Sequence, residues 1–115
     1  MNYNSRKENG LLVINFHEKR LDATVAVELK EILATCIENG DTDILLNISE
    51  VEFIDSSALG SIVSSLKRIG NKGDLFFSGA QENVKRLFSL TRMDRVLQIF
   101  PTVDEAVEMF VKGGH

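Results

Sequence analysis

Asp55-Ser56-Ser57 lies between a short apolar run and an amphipathic stretch, so it can present a hydroxyl at the start of a helix. The run before it, Ile44-Leu45-Leu46-Asn47-Ile48, reads as a strand covered on both faces. After it, Ala58, Leu59, Ile62, Val63, Leu66 and Ile69 recur at helical spacing. Either Asp55 or Ser56 suits the cap, because each side chain can accept from an unpaired N–H of the first turn. A phosphate on Ser56 would be favoured there by those N–H groups and by the positive end of the helix dipole. The same residues also serve a plain structural cap.

Other chemistries find no support in the residues. A serine hydrolase needs a nucleophile elbow such as Gly-x-Ser-x-Gly, whereas Ser56 is flanked by Ile54-Asp55 and Ser57-Ala58. There is no Gly-x-x-x-x-Gly-Lys loop for a nucleotide phosphate. With His17, His115 and Cys36 as the only histidines and cysteine, no metal-ligand spacing arises. No catalytic residue and no cofactor is expected, and the chain reads as a substrate. Among the carboxylates, Asp22 and Asp55 stand out. Asp55 would orient the Ser56 hydroxyl or cap the helix, and Asp22 precedes the first helix, where it could be an N-cap.

The elements that position these residues follow from periodicity and turn signals. Leu11 to Phe16 reads as a strand after a Glu8-Asn9-Gly10 turn, forming a hairpin with residues around Tyr3 to Lys7. Helix is expected from Ala23 to Glu38, stopped by Asn39-Gly40, then strand Ile44 to Ile48 and helix Ser57 to Ile69, ended by Gly70 and Gly73. Strand Asp74 to Ser78, helix Gln81 to Leu90 and strand Val96 to Phe100 come next. Thr102 with Glu105 forms a capping box for a last helix through about Val111, and Gly113-Gly114-His115 reads as a frayed end. Strands alternating with helices require crossovers and parallel pairing, so the fold class is α/β: a mixed sheet with an antiparallel N-terminal hairpin, later strands parallel, and about four packed helices. His17 ends a strand. Cys36, in the stripe Val25, Leu29, Ile32, Leu33, Cys36, reads as a core thiol.

Asp55-Ser56-Ser57-Ala58-Leu59-Gly60, with Asn47 through Ile54 leading in, resembles the phosphorylation-site signature of the anti-sigma factor antagonists, the bacterial members of the STAS domain family. Arg20-Leu21-Asp22 and the residues through Lys30 resemble the family's Gly-Glu-Leu-Asp segment, and Val84 through Leu90 its late helix. The likeness covers nearly the whole chain, with order and spacing kept. Lys19 and Arg92 stand where the family commonly has glycine, and Ala58 replaces the glycine after the serine pair. The resemblance implies that Ser56 is the phosphorylated serine, with Ser57 the neighbour that could also be modified. It places Asp22, Asp55, Ser57, Ala58, Leu59 and Gly60 at the partner-binding surface. The implied partners are an anti-sigma factor with serine kinase activity, which supplies ATP and magnesium, and a phosphatase. The alternatives are a STAS module in a larger signalling or transport assembly, or a small nucleotide- or lipid-binding domain.

Composition agrees with a protein-binding role. The 115 residues suit one domain, 43% hydrophobic and 26% charged content is ordinary for a globular protein, and a net charge of −4 disfavours nucleic acid. The cations Lys67, Arg68, Lys72, Lys85, Arg86, Arg92 and Arg95 read as solvated faces. No signal peptide or membrane-span run appears, so a cytoplasmic location is expected.

Overall fold

A computed structural model describes residues 1–113; Gly114 and His115, part of the expected frayed end, lie outside the described residues. Two strands open the chain, β1 (Tyr3–Glu8) and β2 (Leu11–Phe16), paired antiparallel with Tyr3 opposite Phe16 and Glu8 opposite Leu11. The turn is tighter than the sequence suggests. Only Asn9 and Gly10 lie outside the strands, at φ 55° and 87°, the left-handed pair that a two-residue hairpin demands.

The rest alternates: β3 (Arg20–Leu21), α1 (Ala26–Glu38), β4 (Ile44–Asn47), β5 (Phe53–Ile54), α2 (Ser56–Ile69), β6 (Leu75–Ser78), α3 (Glu82–Leu90), β7 (Gln98–Phe100) and α4 (Val103–Lys112). The five-stranded sheet has order β1-β2-β4-β6-β7, parallel from β2 onward, so the expected mixed α/β fold is present. Strand order advances in one direction, and the crossover helices α1, α2 and α3 share one face. That face buries Leu12, Ile14, Leu46 and Phe77 against Leu29, Leu33, Ile62 and Phe88, with the Phe77 and Phe88 rings edge-to-face at 5.5 Å. The other face buries Val13, Leu45 and Phe76 against Ala106, Val107 and Phe110 of α4. Each fully buried Leu, Ile or Phe contributes roughly 1.5–3 kcal/mol, so the two layers hold the sheet firmly from both sides.

Several boundaries differ from expectation, each for a local reason. Helix α1 begins at Ala26 instead of Ala23, because Asp22 is engaged with Thr24 and holds residues 22–25 in a turn. Val96 and Leu97 do not extend β7. They follow a 3-10 turn over Met93–Arg95, where the Leu97 N–H bonds Met93 O at 2.8 Å and Val96 is exposed. That turn begins at Arg92, held left-handed at φ 61°, so an arginine adopts the conformation that glycine supplies more easily. Lys19 needs no glycine: among the described non-glycine residues only Asn9 and Arg92 have positive φ. Cys36 is half-buried instead of fully enclosed, lining a groove with Tyr3, Ile14 and Ile32. Partial burial, with the nearby Asp41 charge second, pushes its thiol pKa up.

Candidate functional site

Helix α2 starts where two loops meet. β3 and β5 form a two-residue parallel pair beside the main sheet, Arg20 opposite Phe53 and Leu21 opposite Ile54. Buried Leu21 and Ile54 anchor this pair in the core, while Arg20 and Phe53 face outward. Backbone bonds lace the loops together: Glu52 N–H to Lys19 O at 2.7 Å and Asp55 N–H to Leu21 O at 3.1 Å.

Asp55 closes the corner and settles the choice of cap. Its extended backbone precedes α2, and its Oδ1 accepts from the Ala58 N–H at 3.0 Å. The other oxygen, Oδ2, accepts from the Ala23 N–H at 3.0 Å, joining the α2 start to the loop before α1. Ser56 is therefore the first helical residue and not the cap. Its side chain is exposed, and among the described residues nothing bonds its hydroxyl. The capping work falls on Asp55 and leaves Ser56 Oγ free at the positive end of a 14-residue helix.

Asp22 is not the cap of α1. That helix has no side-chain cap, and Asp22 Oδ1 accepts instead from the Thr24 N–H at 3.0 Å and the Thr24 hydroxyl at 2.5 Å. The hydroxyl bond is the main reason the Asp22 carboxyl titrates below its ordinary range, with the Thr24 N–H next and Arg20 assisting. Arg20 Nε reaches Asp22 Oδ2 at only 3.4 Å, while its guanidinium lies 4.4 Å over the Phe53 ring.

The structure divides the residues named from sequence. Ser56, Ser57 and Gly60 are exposed, and Asp22 and Asp55 are half-buried. Ala58 and Leu59 are 0% and 8% exposed, so their side chains hold α2 to the core. At 100° per residue, Gly60 falls on the helix face between Ser56 and Ser57, one turn further on. A Cβ there would meet nothing within the chain, so internal packing does not require this glycine. Sequence reading missed the pair Arg20 and Phe53, the latter 40% exposed. Phe53 lies between buried Val51 and Ile54, and an aromatic beside those two apolar positions, three residues before the serine, is the signal that could have found it.

The surroundings do not form a nucleotide crevice of the doubly wound kind, which opens where strand order reverses; here it never reverses. Among the described residues no helix is long and apolar enough to cross a membrane. The corner instead offers a small, bare helix face ringed by a carboxylate, a stacked arginine and an aromatic edge, a surface suited to a protein partner.

Comparison with known proteins agrees. Residues 2–106 match the model of the STAS domain, and the chain belongs to the STAS domain family. Its relatives there carry the name of anti-sigma factor antagonists. The anti-sigma-B factor antagonist of Staphylococcus aureus is 31% identical over 80 residues, 69% of this chain and 74% of that protein. A Thermotoga maritima protein named provisionally as an anti-sigma factor antagonist is 42% identical over 73 residues, 63% of this chain; the match spans 65% of that relative's length. In structure, the Bacillus determinant SpoIIAA in its phosphorylated form superposes with a TM-score of 0.73 at 18% identity, covering 95% of this chain and 99% of that one, a likeness of fold.

Proposed function

We propose that this chain, acting as one STAS unit over residues 1–115, is an anti-sigma factor antagonist controlled by phosphorylation of Ser56. The unphosphorylated form binds a cytoplasmic anti-sigma factor that is also a serine kinase, and so releases a sigma factor. The kinase transfers the γ-phosphoryl group of ATP to Ser56 Oγ, ending the complex, and a phosphatase restores the hydroxyl. The catalytic groups, ATP and magnesium belong to the partner. This chain contributes a positioned hydroxyl and performs no catalysis.

The observation that carries this reading is the exposed Ser56 hydroxyl, which nothing among the described residues bonds, the cap of α2 being Asp55. The partner face comprises Ser56, Ser57 and Gly60 on α2, with Asp22, Phe53 and Arg20 around them and Asp55 beneath. Names support it: relatives are called antagonists of anti-sigma factors, and one structural neighbour is known in a phosphorylated form.

Electrostatics explain the switch. Phosphorylation adds up to two negative charges beside Asp55 and Asp22, and these must be desolvated against a surface complementary to a neutral serine. A mismatch of about 3 kcal/mol or more corresponds to at least a hundredfold loss of affinity. The helix stays folded, because added negative charge at an N-terminus is favoured by the dipole by roughly 0.3–1 kcal/mol, offsetting repulsion from Asp55. Calorimetry with the anti-sigma kinase of the same genome tests this: the phosphorylated chain should bind at least a hundredfold more weakly than the unphosphorylated one. Equal affinity of the two forms would refute the switch.

A further inference from the structure

A polar row crosses the sheet on the face it shares with α4. Register sets Asn4 opposite Asn15 and Asn15 beside Asn47, and strand alternation puts Asn15 and Asn47 on the same side as Val13 and Leu45 of the α4 layer. The bonds along this row all run one way. The Ser49 N–H donates to Asn47 Oδ1 at 3.1 Å, Asn47 Nδ2 to Asn15 Oδ1 at 2.8 Å, and Asn15 Nδ2 to Asn4 Oδ1 at 2.9 Å. Asn4 Nδ2 then meets His17 Nε2 at 3.0 Å, and His17 Nδ1 meets Glu50 Oε2 at 2.7 Å.

The direction is forced at its origin. A backbone N–H can only donate, so Asn47 must turn its oxygen toward Ser49 and its nitrogen toward Asn15, and each following amide is fixed in turn. The ladder therefore presents an N–H to His17 Nε2, which must carry the lone pair, and Nδ1 must hold the hydrogen given to Glu50. His17 is set as the neutral Nδ1–H tautomer. Ser49 at one end and Glu50, which holds the His17 ring at the other, both lie in the loop between β4 and β5, which leads to Phe53, Asp55 and Ser56. Ser49 is also held by Gln81 Nε2, 2.9 Å from its carbonyl, and backed by Gly79, where a Cβ would come within 2.7 Å of Ser49 Cβ.

We propose that this ladder is a proton-sensitive relay between His17 and Ser49. When His17 takes a proton from water at Nε2, its new N–H opposes the Asn4 N–H. The opposition is relieved by Asn4, Asn15 and Asn47 turning over together, each exchanging donor for acceptor. Every bond of the row is then restored except the last, because Asn47 now faces the Ser49 N–H with a nitrogen. The proton adds to the Nε2 lone pair in place of the Asn4 hydrogen bond and breaks no covalent bond within the chain, and the imidazolium is held by the Glu50 carboxylate. Glu50 is the charged side chain in contact with the ring; on the neighbouring elements Arg6 pairs with Glu8 on β1, the Met1 ammonium with Glu28 on α1, and Glu18 and Lys19 flank His17 along the chain. The His17 side chain is 34% exposed, so water can deliver the proton. The consequence is a loop that loosens at Ser49 once His17 carries the added proton. This inference does not depend on what Ser56 does.

Nitrogen NMR of the whole chain tests it. Near pH 8, long-range couplings should show His17 protonated at Nδ1; a hydrogen on Nε2 would overturn the proposal. On lowering the pH, the Ser49 amide resonance should shift with the same midpoint as the His17 ring. In Asn15→Leu, which cuts the ladder, the ring should still titrate while Ser49 no longer follows it. Asn15→Thr, too short to bridge the strands, makes the same cut should the leucine variant not fold. A Ser49 shift that persists in the cut ladder, or that never follows His17 in the wild type, contradicts the relay.

Discussion

Helices α1 and α2 pack against each other with their N-termini joined at one corner, yet they begin in different ways. Helix α1 has no side-chain cap and exposes Val27, Glu28, Lys30 and Glu31 along its first two turns. Helix α2 is capped by an aspartate bonded through both oxygens, and it exposes Ser56, Ser57 and Gly60 over the same span. One start is covered with long side chains and the other is kept small. The difference is that α2 is secured from beneath while its outer face stays bare, a face on which the proposed docking of a kinase at Ser56 depends.

The two aspartates divide the work accordingly, and breaking each should reveal its share. Asp55→Ala has the largest expected effect. It removes the cap and the tie to Ala23, a loss of about 2–3 kcal/mol, read as a fall in melting temperature of roughly 10–20 °C. A fall of only a degree or two would mean that the corner is held by something else. Gly60→Ala should act in the opposite direction: a mid-helix alanine with open space for its Cβ gains about 1 kcal/mol of stability. The same variant should bind the anti-sigma kinase more weakly, because the methyl group stands between Ser56 and Ser57. Tighter binding would deny that the bare face is the docking face.

Asp22 should contribute least, and its contribution should fade in acid. Its folded pKa lies below the unfolded value, so its contribution is fully present above about pH 4 and is lost as pH falls through the lower, folded value. Asp22→Asn should therefore lower the melting temperature slightly at pH 7, and the gap to the wild type should close in acid, flattening the acid limb of the stability curve. An unchanged acid limb would show that Thr24 does not favour the carboxylate.

The same comparison explains what was legible in the sequence. The core side of α2 could be read from Ile62, Leu66 and Ile69, because burial imposes a period. The caps could be read only as a choice between Asp55 and Ser56, since either side chain reaches the same N–H groups and only the β3–β5 pairing decides. Two-residue strands such as Arg20–Leu21 carry no period, so that pairing was invisible. Asp22 was misread as a possible cap because Thr24, two residues on, captures it first. Ala58 and Leu59 entered the partner surface as members of a motif, whereas their burial depends on helix phase. Asn15 and Asn47 are visible as polar residues within apolar strands, but their alignment into one row depends on register between segments about thirty residues apart.

The central claim is that Ser56 alone is the acceptor, held exposed by an aspartate that does its capping for it. The direct measurement is incubation with the anti-sigma kinase and ATP, followed by peptide mass spectrometry of the wild type and of Ser56→Ala. The wild type should carry one phosphate, on Ser56, and the variant none, while the variant remains folded and still binds the kinase. A phosphate on Ser57 or elsewhere, or a wild-type chain that binds the kinase with ATP present and stays unmodified, would contradict it.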